Sequence, residues 1–316
     1  MVRRVDVLFS TFNGSATLPT MLEAFKRLVT PFEWRVLVVD NGSRDTTREI
    51  LEAFSASLPL EVLTQPRPGK NRALNVGLKA VRGDLIILTD DDIAPEPNWL
   101  VRLCAAADAQ PNFALFGGAI RPRWPSPPPD WLLEEADLEM AYAVTGESME
   151  AGPVHPMWVW GPSMAVRRDV FESGLRFDES VGPGPGDYIM GSETDFTNRA
   201  ASAGFRCWHV ADAVVEHLVR PHQIEPSWVI ERGFRAGRQA GRSAAKRLTT
   251  GSEGPLLLGY PRWRLRKWFE ATTREFWHGK VTRNQRVWFR NAYARRFEEG
   301  VLFQLREARR AHNALT

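Results

Sequence analysis

The segment Leu85-Ile86-Ile87-Leu88-Thr89-Asp90-Asp91-Asp92 is a four-residue apolar run closed by three consecutive carboxylates. The run is strand-sized, and the elements around it alternate. Before it, residues 70–81 read as a helix and 61–63 as a short strand. Before those, Asp45-Thr46-Thr47 opens a helix with Ile50, Leu51 and Phe54 on one side. Residues 35–39 read as a strand without polar alternation after Arg35, as expected of a strand covered on both faces. Residues 16–29 place Leu18, Met21, Leu22, Phe25 and Leu28 at helical spacing, and 5–9 is a first strand. This β-α-β-α-β-α-β order implies a parallel sheet with right-handed crossovers. Ligands of such sheets sit at the carboxyl ends of the strands.

Three of those ends are polar: Ser10-Thr11-Phe12-Asn13, Asp40-Asn41-Gly42-Ser43 and Thr89-Asp90-Asp91-Asp92. Any one is compatible with ordinary turn chemistry. Three on one sheet edge point to a ligand, because adjacent carboxylates repel unless a cation or donor group neutralises them.

The chain has 316 residues, 43% apolar and 25% charged, which excludes a disordered chain, a collagen and a small disulfide scaffold. No stretch approaches the ~18–20 apolar residues needed to cross a bilayer. No secretory signal is expected at the N-terminus, and two separated cysteines, Cys104 and Cys207, suggest a reducing, cytoplasmic setting. The net charge of +3 hides an asymmetry. From Arg220 onward there are 21 Lys+Arg against 8 Asp+Glu, so the front is acidic and the tail basic. Solvated helix faces explain such a tail, as does an anionic partner: nucleic acid, a membrane surface or a phosphorylated substrate.

The second half is less regular. Residues 122–129 carry five prolines and read as a stiff connector. Gly182-Pro183-Gly184-Pro185-Gly186 is irregular and reads as a candidate mobile acceptor lid. From Pro226 a helix shows a small-residue stripe (Gly233, Ala236, Gly237, Ala240, Gly241, Ala244) suited to close packing, beside a mostly basic one. Trp263, Trp268, Trp277 and Trp288 follow among arginines, as core or interface anchors.

In order along the chain, 7–13, 38–46, 69–77 (Gly69-Lys70-Asn71-Arg72-Ala73-Leu74-Asn75-Val76-Gly77), 88–95, Trp160-Gly161-Pro162-Ser163-Met164-Ala165 and Gly191-Ser192-Glu193-Thr194-Asp195-Phe196 resemble the motifs of the family 2 inverting glycosyltransferases. The resemblance covers about residues 5–220. It implies an α/β GT-A fold: a Rossmann-like mixed, mostly parallel sheet with flanking helices. A C-terminal helical extension would follow, with a catalytic domain over 1–220 and a basic, Trp-rich helical region over 221–316. Two motifs depart from the family's pattern. Ala73-Leu74-Asn75 stands where many members have Ala-Arg-Asn, so Arg72 or Lys70 is the candidate replacement cation. Gly191-Ser192-Glu193 stands where Gly-Glu-Asp is usual. The Gln-x-x-Arg-Trp motif of processive synthases is absent.

The implied reaction is metal-dependent, inverting transfer of a sugar from a nucleotide diphosphate, a UDP-sugar favoured, to a hydroxyl acceptor in polysaccharide, glycolipid or glycoconjugate synthesis. Asp92 and Asp90, in the family's DXD position, together with His217, would hold Mn2+ or Mg2+, which stabilises the leaving diphosphate. His217 is equally open to a structural role. Thr11, Asn13, Asp40, Lys70, Asn75, Asp90, Asp91 and Arg220 are expected on the nucleotide sugar, with His222 near enough in sequence to serve the same phosphates. Glu193 is the expected general base. Asp195, two residues on, is either the alternative base or a cap of the helix that begins there. Trp158 and Trp160 either stack on an acceptor sugar or pack in the core. The expected partners are a nucleotide-sugar donor, a carbohydrate or lipid-linked acceptor and an anionic membrane surface met peripherally; nucleic acid is not expected. Two other readings compete. A nucleotidyltransferase would carry a glycine-rich phosphate loop with a basic residue, which Asn13-Gly14-Ser15-Ala16-Thr17 lacks. A non-catalytic binder would work through the basic tail.

Overall fold

A computed structural model describes residues 4–146, 148–186, 188–249 and 254–313. The chain divides into two units: Met1–Pro125, Leu138–Gly186 and Ser192–Val219 form the first, and Ser126–Asp137, Asp187–Gly191 and Arg220–Thr316 the second. Most of the second unit runs from Arg220 onward, and two short segments from earlier in the chain belong to it.

The first unit opens with β1 (Arg4–Thr11), α1 (Leu18–Phe25), β2 (Glu33–Asp40), α2 (Thr47–Ser55), β3 (Leu60–Thr64), α3 (Lys70–Gly77) and β4 (Leu85–Leu88). β5 (Ile93–Pro95), α4 (Trp99–Ala109) and β6 (Leu115–Arg123) follow. After the excursion into the second unit, which holds α5 (Asp130–Glu135), the first unit continues with α6 (Leu138–Tyr142), β7 (Gly152–Val154), β8 (Met164–Arg167), α7 (Arg168–Glu172), α8 (Ser192–Ser202) and β9 (Cys207–Leu218). The strands make one sheet in the order β3-β2-β1-β4-β8-β6-β9-β5, with β7 on β9. β3, β2, β1 and β4 are mutually parallel, as the alternation of elements predicts, whereas β8 runs antiparallel to β4 and β6.

The uninterrupted apolar strands have a physical cause. Val7, Phe9, Val36, Val38 and Ile87 join a core with α1, α2 and α4 on one face of the sheet. Leu8, Leu37, Val39, Ile86 and Leu88 join a second core with α3, α7 and α8 on the other face. Both pleat faces are therefore covered by helices, which removes any place for alternating polar residues. Asp6 is the exception. Fully buried in β1, it accepts hydrogen bonds from the Arg35 guanidinium (2.7 and 3.3 Å) and from the N–H groups of Arg82 and Gly83.

Three boundaries differ from expectation. α1 ends at Phe25, not near 29, because Arg27 and Leu28 bond three residues back. α3 ends at Gly77, not near 81, because Lys79 and Ala80 bond three residues back in a tightened turn that feeds β4. Pro122 belongs to β6, so the proline connector starts after Arg123.

In the second unit, α9 (Pro226–Thr249) is followed by β10 (Leu256–Leu257) and β11 (Tyr260–Pro261), a two-stranded hairpin. α10 (Arg262–Phe276) continues through a π-turn (Trp277–Val281), and α11 (Gln285–Asn313) ends the described chain. The small-residue stripe of α9 lies against α11. A Cβ at Gly237 would sit 1.9 Å from the Phe297 carbonyl oxygen, and one at Gly300 of α11 would sit 2.0 Å from that of Phe234. Larger residues at either glycine would hold the helices apart. No helix among the described residues is long and apolar enough to cross a membrane.

Candidate active site

The register of the sheet assembles the site. Thr11 pairs with Asp40 across β1 and β2, and Leu8 pairs with Leu88 across β1 and β4. The residues that leave β4 therefore stand beside those that close β1. Thr11 Oγ1 donates to Asp91 Oδ2 at 2.6 Å. Asp40, nearly buried, accepts the Ser43 N–H at 2.9 Å, and Ser43 Oγ accepts the Asn13 N–H at 3.0 Å. Asn13 Oδ1 in turn accepts the Arg44 N–H at 2.9 Å. Asn13 adopts a left-handed φ of 53°, a conformation asparagine tolerates better than most residues. The first two polar strand ends are thus stitched into one wall.

A second group of side chains comes from α3 and α8. Lys70, the first residue of α3, places Nζ 2.5 Å from Asp90 Oδ1 and 2.8 Å from Glu193 Oε1. Burial works against the Lys70 charge, but Asp90 and Glu193 outweigh it and hold the ammonium above its ordinary value. Burial raises the Asp90 carboxyl; Lys70 opposes that, while the charges of Glu193 and Asp92 reinforce it, and the net shift is upward. Of the two candidate cations, Lys70 is the one on the carboxylates. Arg72 turns instead to Glu179 at 2.8 Å.

His217 reaches Asp92 through strand pairing. β9 runs antiparallel to β5 with His217 opposite Ile93, and the Leu218 N–H donates to the Asp92 carbonyl at 2.7 Å. His217 Nδ1–H donates to the Tyr142 carbonyl at 2.6 Å, which leaves Nε2 toward Asp92 Oδ1 at 3.3 Å. Burial lowers the imidazole pKa, yet Asp92, the Tyr142 carbonyl and Asp90 together hold it above its ordinary value.

Other candidates have different surroundings. Asp195 pairs with Arg199 at 2.9 Å along α8. Residues two apart on a helix do not share a face, so it points away from the Glu193 side. Both ends of the Asn75 amide are engaged by the Phe177 backbone, at 2.9 and 3.0 Å, so Asn75 clasps α3 to the 177–179 loop. Arg220 and His222 fall in the second unit. Trp158 is half-buried, and Trp160 packs on the core face that holds α1 and α4, with a buried indole N–H that has no hydrogen-bond partner among the described residues. In the proposed lid, the Pro183 carbonyl accepts the Lys70 N–H at 2.8 Å.

A model of the family Glycosyl transferase family 2 matches residues 6–174, more than half of the chain. The chain belongs to that family. This glycosyltransferase is 27% identical over 237 residues to glycosyltransferase AglE of Haloferax volcanii, covering 74% of this chain and 72% of AglE. Other curated transferases match over 34% of their length. In fold, the glycosyltransferase is similar to residues 1–349 of S. aureus TarS in complex with UDP-GlcNAc (TM-score 0.56, 16% identity, 98% of this chain and 92% of that one). It is also similar to the mannosyltransferase PcManGT of Pyrobaculum calidifontis in complex with GDP-Man and Mn2+ (TM-score 0.61, 18% identity, 96% and 87%). These likenesses show a shared GT-A architecture.

Three further residues shape this glycosyltransferase's site and carry no chemical signal of their own in the sequence. Asn71 donates to the Asp178 carbonyl at 2.8 Å and accepts from Ser192 Oγ at 2.5 Å, which ties the start of α3 to the start of α8. Lys70 immediately precedes Asn71, and Glu193 immediately follows Ser192. Gly161 lies under Glu193: a Cβ there would fall 2.7 Å from Oε1 and 2.9 Å from Cγ. The Gly161 turn is itself pinned by Thr89 Oγ1 to the Pro162 carbonyl (2.7 Å) and by Trp99 Nε1 to Ser163 Oγ (2.9 Å).

Proposed function

We propose that this glycosyltransferase transfers a sugar from a nucleoside diphosphate, a UDP-sugar favoured, to an acceptor hydroxyl with inversion, using Mn2+ or Mg2+, in polysaccharide, glycolipid or glycoconjugate synthesis. The observation that carries the reading is the Lys70 bridge, which sets Asp90, just past β4, and Glu193 within one ammonium's reach of each other.

Donor and acceptor occupy different walls in this reading. Thr11, Asn13 and Asp40 line the nucleoside side, where Asp40 accepts an N–H from the base edge. Asp92 and His217 would hold the cation. The fit rests on donor chemistry: a buried carboxylate oxygen faces an imidazole nitrogen whose other nitrogen is fixed on a carbonyl, the second-shell arrangement that presents Nε2 as a ligand. Among the described residues no three His, Cys, Asp or Glu side chains form a complete cage, so diphosphate oxygens would complete the coordination, as is common for Mg2+. When bound, the cation supplies Lewis-acid stabilisation of the departing diphosphate. Lys70 adds a fixed positive charge between donor carboxylates and base.

Glu193 is the base. The acceptor O–H proton moves to its carboxylate as the oxygen attacks the anomeric carbon, and the anomeric C–O bond breaks with its electrons on the diphosphate. One direct displacement inverts the centre. Trp158, half-buried beside the turn beneath Glu193, serves as the acceptor wall, while Trp160 supports that turn from the core side.

The decisive experiment is a panel of UDP-, GDP- and dTDP-sugars with Mn2+ or Mg2+, read by thermal shift and nucleoside diphosphate release. A donor that stabilises and turns over only with metal is expected. Failure of every sugar nucleotide to stabilise or be consumed would overturn the reading.

A further inference from the structure

The outer side of α10 is built the wrong way round for a helix in water. Its inner side, against α11, is polar: Arg264 is buried and pairs with Glu298 at 3.0 Å, Glu275 pairs with Arg295, and the Trp268 N–H donates to Glu299 at 3.4 Å. Its outer side is apolar. Phe269 is 62% exposed and Phe276 66% exposed, and Trp263, Trp277 and Val281 are exposed beside them. The hairpin leading into α10 opens with Leu256, Leu257 and Leu258, the last 83% exposed. Among the described residues, eight of the twelve large exposed apolar side chains lie within 256–281.

The apolar positions are interleaved with exposed Arg262, Arg266, Lys267, Arg274 and Lys280. Glu270, on the same side, is already paired with Arg266 at 2.7 Å. This composition selects the occupant. A second copy of the chain would bring like charges together, and an apolar partner helix would strand the cations in its seam. An anionic bilayer satisfies both sets: aromatic rings enter the interface, and Lys and Arg extend to lipid phosphates.

We propose that the outer face of α10, with the leucine hairpin before it, docks this chain on an anionic phospholipid bilayer. The proposal stands apart from the sugar-transfer reading, and a membrane-borne acceptor would join the two.

The test is co-sedimentation of the full chain with phosphatidylcholine vesicles with and without 30% phosphatidylserine. Binding should be at least tenfold stronger to the anionic vesicles and should fall as salt is raised. The Arg266→Gln/Lys267→Gln/Arg274→Gln variant should lose about 100-fold, at roughly fivefold per cation. The Trp263→Ser/Phe269→Ser/Phe276→Ser/Trp277→Ser variant should lose at least tenfold. Should that variant fail to fold, quenching of wild-type tryptophan fluorescence by brominated lipid replaces it, and quenching is expected. Donor-dependent thermal shift in both variants should match wild type, which separates this proposal from the catalytic one. Equal binding to neutral and anionic vesicles, wild-type partitioning of both variants, or absence of quenching would overturn it. So would a dimer, or oligonucleotide binding, that the same substitutions abolish while vesicle binding persists.

Discussion

Glu193 and Gly161 show how a site can depend on a residue with no side chain. The space a Cβ would take at 161 is filled by the Glu193 side chain. The obstacle is the far end of a flexible chain, so Gly161→Ala should displace the carboxylate and leave the core untouched. We expect the melting temperature to hold and kcat to fall about 10²-fold, the scale of a misplacement near 1 Å. Unchanged kcat would show that Glu193 tolerates the shift and is not positioned by the turn. Glu193 and Lys70 were singled out in the sequence through the motifs they share with the family. Asn71, Ser192 and Gly161 were not, because each matters only through what it touches, and those contacts span up to 121 residues of chain.

At the scale of elements, β1 to β4 were readable because each is a local apolar run separated by a helical period. The path of His217 to Asp92 was not, since it depends on the antiparallel register of β5 and β9 more than 100 residues apart. Asp6 in β1 tests what holds the first strands together. Burial pushes its carboxyl up, but Arg35 and two backbone N–H groups prevail and hold it below the ordinary value. A lowered folded pKa means the stabilisation is present above the ordinary Asp pKa of about 4 and is lost as pH falls through the folded value. Asp6→Asn should therefore cost about 3–5 kcal/mol at pH 7 by denaturant unfolding, as for a broken buried pair, and the gap from wild type should narrow below about pH 4. A gap independent of pH would assign the cost to packing alone. In α9, Gly237→Ala would press a methyl onto the Phe297 carbonyl. A loss of about 1–3 kcal/mol or more in stability is expected, and none would mean α9 and α11 can separate freely.

For the whole molecule, the change in charge balance near 220 was visible in the sequence. The capture of 126–137 and 187–191 by the second unit was not, because it rests on distant partners: Trp131 on Phe289, Glu134 with Arg286, Glu135 with Arg290 and Tyr188 with Arg235. The proposed metal dependence is tested on the assembled molecule. EDTA should abolish the donor-induced rise in melting temperature, and Mn2+ or Mg2+ should restore it, because two protein ligands need the diphosphate to complete a site. Full donor stabilisation in EDTA would remove the cation from the account.

The central claim is that Glu193 removes the acceptor proton beside the carboxylates that follow β4. Glu193→Gln measures it most directly, with donor affinity and single-turnover transfer followed in the same preparation. The account predicts donor binding close to wild type and transfer slower by about 10²–10⁴-fold; transfer at the wild-type rate would contradict it.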